Sequence, residues 1–452
     1  MGLFSSSIFA ASFPVKSISL AGNEKTKDFV ILREMLVAVD SIYPETGEGN
    51  ITELVRISKD RIINLNLFNT CDIHVKLQET RDGYGFVLDV ELVEKWYIWP
   101  MPFVEFSDRN FNVWGGLDFD PARTNYGLNV FNYNLFGRNH TFKTRMKTGY
   151  NTKFGVEYRV PFLGRNTDWG MRGEIDYSNQ NEVWLFTKND SLQFYENGRT
   201  RLVANTQANV ELSKRVTPFT RVYYGLLFQH EQLDSSVPSQ GFYLNDARYQ
   251  RNYAAYVKIE NDKRDNIYYP LKGSYLTGRL ETQLWQNTNR ANNIMAQVKV
   301  QKFDQWTNRL YSAISLFGEY NTRSRVPYSE RRLLGYNEVV RGYEHYVIDG
   351  TFGLKATAAV RYQCFKKEMN LAFIPAENYK LVPVSMYAEI YTDAGYAGYG
   401  EVEASNRLPN GALYSVGIGL NTLLFNDRLL RLEYSLNGLK EGGFFVHFKK
   451  AI

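Results

Sequence analysis

The chain is predicted to be mostly β, a transmembrane antiparallel β-barrel of about sixteen strands preceded by one small α+β domain. Three observations carry this prediction. Roughly the first ninety residues read as strand, helix, helix, strand, strand. After them the helical period disappears, and segments alternating apolar and polar residues recur to the C-terminus. The composition is aromatic-rich, with 32 Tyr and 29 Phe, yet hydrophilic, with 22% charged residues and a mean hydropathy of -0.38.

At 452 residues the chain exceeds one ordinary domain unless one of its domains is a large barrel. It contains no run of about 18 apolar residues, so no transmembrane helix is expected. A closed barrel is the other structure that satisfies every backbone hydrogen bond in lipid. Net charge is +5 with a pI of about 8.8, and the basic residues are scattered, which argues against a nucleic-acid partner.

Residues 1–12 include a short apolar stretch and the small-residue run Ala10-Ala11-Ser12, but the first basic residue is Lys16. They read as a signal remnant or a disordered tail. Residues 13–95 form the small domain. Val15, Ile18 and Leu20 alternate in a strand that ends at the turn Gly22-Asn23. Thr26 is the expected N-cap of a helix carrying Phe29, Leu32 and Leu36 at helical spacing. A second helix follows the Pro44/Gly47/Gly49 loop, with Leu54, Ile57, Arg61, Ile62 and Leu65 marking its inner stripe and flank. Two strands complete a βααββ order, one with Ile73, Val75 and Leu77 on a face, the other with Phe86, Leu88, Val90 and Leu92.

Residues 96–452 are assigned to the barrel. Phe142, Thr144, Met146, Thr148 and Tyr150 oppose Lys143, Arg145 and Lys147, while Phe154, Val156, Tyr158, Val160 and Phe162 oppose Glu157 and Arg159. Met171, Ile175 and Tyr177 oppose Arg172, Glu174 and Asp176; Leu276, Leu280 and Leu284 oppose Arg279, Glu281 and Gln283. One greasy and one charged face fits either a soluble sandwich or strands between lipid and a polar lumen; the excess of Tyr and Phe near segment ends, with so many consecutive strands and no helical return, favours the barrel.

Between two such strands lies a long connection, "LLGYNEVVRGYEHYVIDG", centred on Val340, Arg341, Gly342 and Tyr343. Long loops of this kind are usually functional or disordered. Further on, Val384, Met386, Ala388 and Ile390 alternate outward, which sets Tyr387, Glu389, Tyr391 and Asp393 on the lumen face. A loop folded into the lumen would bring Arg341 against Asp393 as a charge-assisted pair.

The turn Gly22-Asn23, "REML" on the first helix and "LNLF" before the second strand give residues 13–95 a resemblance to a polypeptide-transport-associated (POTRA) domain. With the Val340-Arg341-Gly342-Tyr343 loop, the later Tyr391-Thr392-Asp393-Ala394-Gly395 and the segment "NDKRDNIYYPLKGSYLTG", the chain resembles the BamA/TamA superfamily of outer-membrane assembly and translocation proteins. In that family the bacterial surface antigen type of barrel has sixteen strands. The resemblance implies that the arginine loop packs inside the lumen, with Asp393, Tyr391 and Gly395 as its partners. It also implies a client-binding edge at Ile73, Val75 and Leu77 and a lateral seam between the first barrel strand and the last, Phe444, Val446 and Phe448. The Arg341–Asp393 pair then either only stabilises a plugged barrel or gates it.

Two features depart from the family pattern: only one POTRA-like unit is found, and the chain ends Lys449-Lys450-Ala451-Ile452 rather than on an aromatic residue.

Enzymatic chemistry is not expected. His74, His140, His230, His345 and His447 are isolated, Cys71 and Cys364 are far apart, and there is no HExxH or GxSxG motif. The glycines of "GYAGYG" do not open a helix after a strand, so they form no phosphate loop. No cofactor or metal is implied. The implied partners are the outer-membrane bilayer, unfolded or extended client proteins, and periplasmic or lipoprotein accessory subunits. The expected role is to assist insertion or translocation of clients at a Gram-negative outer membrane with the POTRA domain in the periplasm. A dedicated single-partner secretion pore and a passive, tethered barrel are the alternatives.

Overall fold

The computed structural model describes residues 11–450 except 48, 81–82, 108–113, 115–117, 119, 165–166, 199–200, 288–289, 324–325, 337, 371–380, 401–404 and 425–427. Most of the expected signal remnant or tail, residues 1–10, therefore lies outside the described residues. Two compact units emerge. One comprises Met1–Pro100, Val130–Phe142 and Arg159–Asn166, and the other Met101–Asn129, Lys143–Tyr158 and Thr167–Ile452.

The N-terminal α+β part runs β1 (Ser12–Ala21), α1 (Asp28–Leu32), β2 (Ile42–Pro44), α2 (Ile51–Asn64), β3 (Phe68–Thr80) and β4 (Gly83–Glu94). Its sheet order is β2-β1-β4-β3, with β1 parallel to β4. The short β2, which pairs with the start of β1, is an addition to the expected βααββ order; three residues are too few for a period-2 pattern to register. Val15, Ile31, Ile62, Phe68 and Leu88 are fully buried in one core. Each such side chain contributes roughly 1.5–3 kcal/mol relative to an exposed one.

The first helix departs from its expected form. Lys27, not Thr26, occupies the N-cap, and no side chain caps it. The Thr26 hydroxyl instead lies 2.9 Å from the Tyr97 hydroxyl. The helix stops at Leu32 because α2 captures the backbone beyond it. Arg61 Nε donates to the Glu34 carbonyl at 2.8 Å, its Nη2 pairs with the Glu34 carboxylate at 2.6 Å, and Leu36 N–H donates to Ser58 Oγ at 2.8 Å. On α2 the N-cap is regular, since the Asn50 side chain accepts from Glu53 N–H at 2.9 Å.

Sixteen strands form the second sheet. The first five are β5 (Ile98–Phe106), β6 (Thr124–Leu135), β7 (His140–Gly149), β8 (Thr152–Val160) and β9 (Trp169–Gln180). A separate hairpin follows, β10 (Val183–Lys188) and β11 (Ser191–Tyr195). Six more wall strands are β12 (Val203–Arg215), β13 (Thr220–Leu233), β14 (Tyr249–Asp262), β15 (Gly273–Gln286), β16 (Arg290–Gln305) and β17 (Leu310–Asn321). The long connection after them holds two short strands, β18 (Arg332–Leu334) and β19 (Ile348–Asp349). The last five wall strands are β20 (Phe352–Asn370), β21 (Leu381–Gly398), β22 (Ala412–Leu424), β23 (Arg428–Asn437) and β24 (Gly442–Lys450).

These sixteen pair in chain order from β5 to β24, which is the antiparallel wall of a β-barrel. Side-chain alternation sorts its two faces. Ile390 is 68% exposed and Leu432 45%, whereas their neighbours Glu389 and Glu433 are 3% and 2% exposed. Bulky apolar groups stand outside and charged groups inside, the reverse of a water-soluble sandwich and the arrangement that lipid requires. Among the described residues no helix is long and apolar enough to cross a membrane.

Candidate functional site in the barrel lumen

The site is built on β21, β22 and β23. Their register aligns Asp393 with Ser415 and Asn437, Tyr391 with Gly417 and Ser435, and Glu389 with Gly419 and Glu433. Two glycines therefore sit between the large lumen-facing side chains. Because Gly417 has no side chain, the Tyr391 ring crosses β22 and its hydroxyl lies 2.6 Å from Ser435 Oγ. A Cβ at Gly417 would lie 2.4 Å from that ring and 2.6 Å from the Tyr434 carbonyl oxygen.

Arg341 lies over this floor, its guanidinium carbon 3.4 Å from the centroid of the Tyr391 ring. Nε and Nη2 donate to the two Asp393 oxygens at 3.0 and 2.8 Å, and the Arg341 backbone N–H donates to Asp393 at 3.1 Å. Nη1 donates to Glu389 at 2.9 Å and to Glu433 at 3.4 Å. One buried guanidinium thus meets three buried carboxylates in a fork geometry that lysine cannot reproduce. Burial works against its charge, but the bonds from Asp393 outweigh that and hold the Arg341 pKa above its ordinary value.

Neighbouring charges complete the balance. Arg361 Nε donates to Glu389 at 2.6 Å; Arg431 lies 3.5 Å from Glu433. On the last strand, His447 Nε2 lies 3.3 Å from Glu433 and 3.7 Å from Glu344 of the loop.

The rest of the loop motif is packed as closely. Gly342 has φ +88°, its N–H donates to Glu344 at 2.7 Å, and its carbonyl accepts from Asn437 Nδ2 at 2.8 Å. Gly438 N–H donates to the Tyr343 hydroxyl at 3.1 Å. Val340 is buried, and a Cβ at Gly395 would stand 2.6 Å from its Cγ2. The residues singled out by sequence, Val340, Arg341, Gly342, Tyr343, Tyr391, Asp393 and Gly395, therefore converge on one place. Glu389 was legible from alternation, which puts it on the lumen face with Asp393. Glu433, Glu344 and His447 carried no local signal, because each reaches the site through the pairing of strands or the course of the loop.

Residues 134–434 match the Omp85 superfamily domain. The chain belongs to the Omp85 superfamily. It is 27% identical over 155 residues to the outer membrane protein assembly factor BamA of Neorickettsia risticii (strain Illinois), a match covering 34% of this chain and 16% of that relative. The chain thus aligns with less than a fifth of the relative's length. In fold it is similar to BamA from Haemophilus ducreyi lacking POTRA domains 1-3, with a TM-score of 0.53, 13% identity, and coverage of 96% of this chain and 83% of that one. It is likewise similar to CdiB from Acinetobacter baumannii, with a TM-score of 0.51, 14% identity, and coverage of 96% and 73%.

In this Omp85 protein the other sequence-selected residues lie elsewhere. Phe444 and Val446 point outward on β24, with Phe444 4.7 Å ring to ring from Tyr434. Phe448 pairs with Leu430 along the backbone, and its side chain lies outside the described residues. β5 and β24 stand at the two ends of the pairing order. In the N-terminal sheet β3 is an end strand; Ile73 and Val75 lean onto the core, whereas Leu77 is exposed.

Four basic residues of the charged face, Lys143, Arg145, Lys147 and Arg172, are engaged by carboxylates. Lys143 lies 3.1 Å and Arg172 2.9 Å from Glu157, Arg145 lies 2.6 Å from Glu174, and Lys147 lies 2.8 Å from Glu105. Cys71 is buried and Cys364 exposed, and both are free thiols.

One carboxyl of the connection between β17 and β20 titrates away from its ordinary range. Burial, reinforced by repulsion from Glu231 and partly offset by Arg332, pushes Glu330 up to about 7. A raised carboxyl pKa contributes stability below its unfolded value and loses it as pH rises through the folded value. Protease cleavage within residues 322–351 of the purified barrel is therefore expected to speed up as pH rises through about 7. Glu330→Gln should flatten that profile, and an unchanged profile in the variant would refute the assignment.

Proposed function

We propose that this Omp85 protein is a non-enzymatic outer-membrane factor that assists insertion or translocation of client proteins. The observation that carries the reading is Arg341 seated on Asp393, Glu389 and Glu433, a loop locked to the strands that lead to the last strand of the wall. A lumen occupied in this way suits a barrel that works through its wall better than an open pore. The end positions of β5 and β24 support a seam between them, lined outside by Phe444 and Val446. We read residues 13–95 as a POTRA-like domain on the periplasmic side. Its end strand β3 offers backbone donors and acceptors for strand addition by an extended client, which needs little sequence specificity. Periplasmic or lipoprotein subunits are natural partners for such a domain.

Depletion of the protein in its host, followed by quantitative proteomics of the outer membrane and culture supernatant, tests this. Loss of several barrel proteins is the expected result. Loss of a single secreted protein would make it a dedicated translocator instead, and no change in either fraction would overturn both.

A further inference from the structure

The bilayer face of β12–β16 is not evenly covered. Register sets Val210, Leu226, Ala255, Thr282 and Ile294 in one row across the five strands. The next row toward the end that carries the Arg341 loop begins Ala208, Phe228, Tyr253, Leu284. Small side chains at Ala208, Ala255 and Thr282 leave a groove of about 700 Å³ between the larger ones. Phe228 and Tyr253 border it, their rings 5.3 Å apart.

One row further toward that end, cationic and polar groups replace apolar ones on the same face. His230 and Arg251 are register partners there, and Gln286 follows Arg251. Arg251 is exposed, with its guanidinium carbon 5.6 Å from the centroid of the Tyr249 ring. An apolar channel running up to an exposed cation matches an amphiphile with a hydrocarbon tail and an anionic head.

We propose that this groove binds one anionic phospholipid, with an acyl chain along Ala208, Ala255 and Thr282 and the headgroup phosphate accepting from Arg251. The assignment rests on the wall lying in a bilayer. The acyl chain covers apolar surface that no side chain covers, and the cation selects for charge on the head.

The test is native mass spectrometry of the full chain released from nanodiscs containing phosphatidylglycerol and phosphatidylcholine in equal amounts. The wild type is expected to retain one phosphatidylglycerol with a preference on the order of fivefold, the effect of one cation at a membrane surface. Ala255→Phe fills the groove and should lose the bound lipid, and Thr282→Leu repeats the blockade from the next strand should the first variant fail to fold. Arg251→Ala should keep a lipid but lose the preference. Val300→Phe, an outward substitution away from the groove, should behave as wild type. Equal retention of the two lipids by the wild type, or full retention by the groove-filling variants, would overturn the proposal. Failure of the wild type to enter nanodiscs as a heat-modifiable barrel would instead count against the membrane reading itself.

Discussion

Replacing Arg341 with alanine will unseat the loop and abolish function in the host. Removing one member of a buried charge pair typically costs about 3–5 kcal/mol because its partner is left uncompensated. Here three carboxylates, Asp393, Glu389 and Glu433, lose their common counter-charge at once, with Arg361 left beside Glu389 and Arg431 beside Glu433. Asp393→Ala should be milder, since Arg341 keeps Glu389 and Glu433. The double variant should be no worse than Arg341→Ala alone, because the interaction can be lost only once. Arg341→Lys keeps the charge and loses the two-pronged geometry, so it should fall between wild type and alanine. The readouts are complementation of a depleted host and protease cleavage of the loop in the purified barrel. Additive losses in the double variant would refute the pairing, and a fully active Arg341→Ala would refute its importance.

The second large effect is expected at Gly342. Valine there must adopt φ near +88°, a region that L side chains rarely occupy. Holding a non-glycine residue in such a conformation costs about 1–3 kcal/mol before any contact is counted. Its Cβ would also stand 3.2 Å from Ser435 Cβ, 3.3 Å from Asn437 Cβ and 3.5 Å from Ser415 Cβ, and the valine methyls would go further into that floor. Gly342→Val should therefore approach the Arg341→Ala phenotype, with Gly342→Ala between it and wild type. Loop cleavage at the wild-type rate in Gly342→Val would show that the loop does not depend on close approach at this residue.

The two predictions probe different physics at one place. Arg341 reports on charge compensation in a dry interior, where the alternative to a partner is an uncompensated ion. Gly342 reports on backbone approach, where the alternative is displacement of the segment. If both variants fail and Tyr343→Phe, which removes the hydroxyl that accepts from Gly438 N–H, is nearly normal, the loop is held chiefly from its arginine end.

Much of the fold was legible because lipid imposes a simple code. Period-2 alternation with apolar groups outside persists through Met171, Ile175 and Tyr177 and through Leu276 and Leu280, and these side chains are exposed on the wall. About sixteen strands are expected from the sequence, and sixteen are paired among the described residues. Local signals were weaker where tertiary contacts overrode them. Thr26 has the right chemistry for a cap, yet its hydroxyl faces Tyr97, and the helix that should have continued past Leu32 gives up its backbone to Ser58 and Arg61.

Side-chain period in the sequence determined the mostly β fold and the faces of the strands, whereas the expectation that Arg341 meets a lumen-facing acid came from the resemblance of the loop and strand motifs to a known family. Tertiary structure decided how many acids share that arginine. Glu389 comes from the same strand as Asp393, but Glu433 arrives from β23, one strand beyond β22, and only strand register brings it within reach. The glycine floor at Gly417 and Gly419 has the same origin. A glycine in a strand is ordinary in a sequence, and it becomes a seat for Tyr391 and Arg341 only when neighbouring strands set large side chains on either side of it.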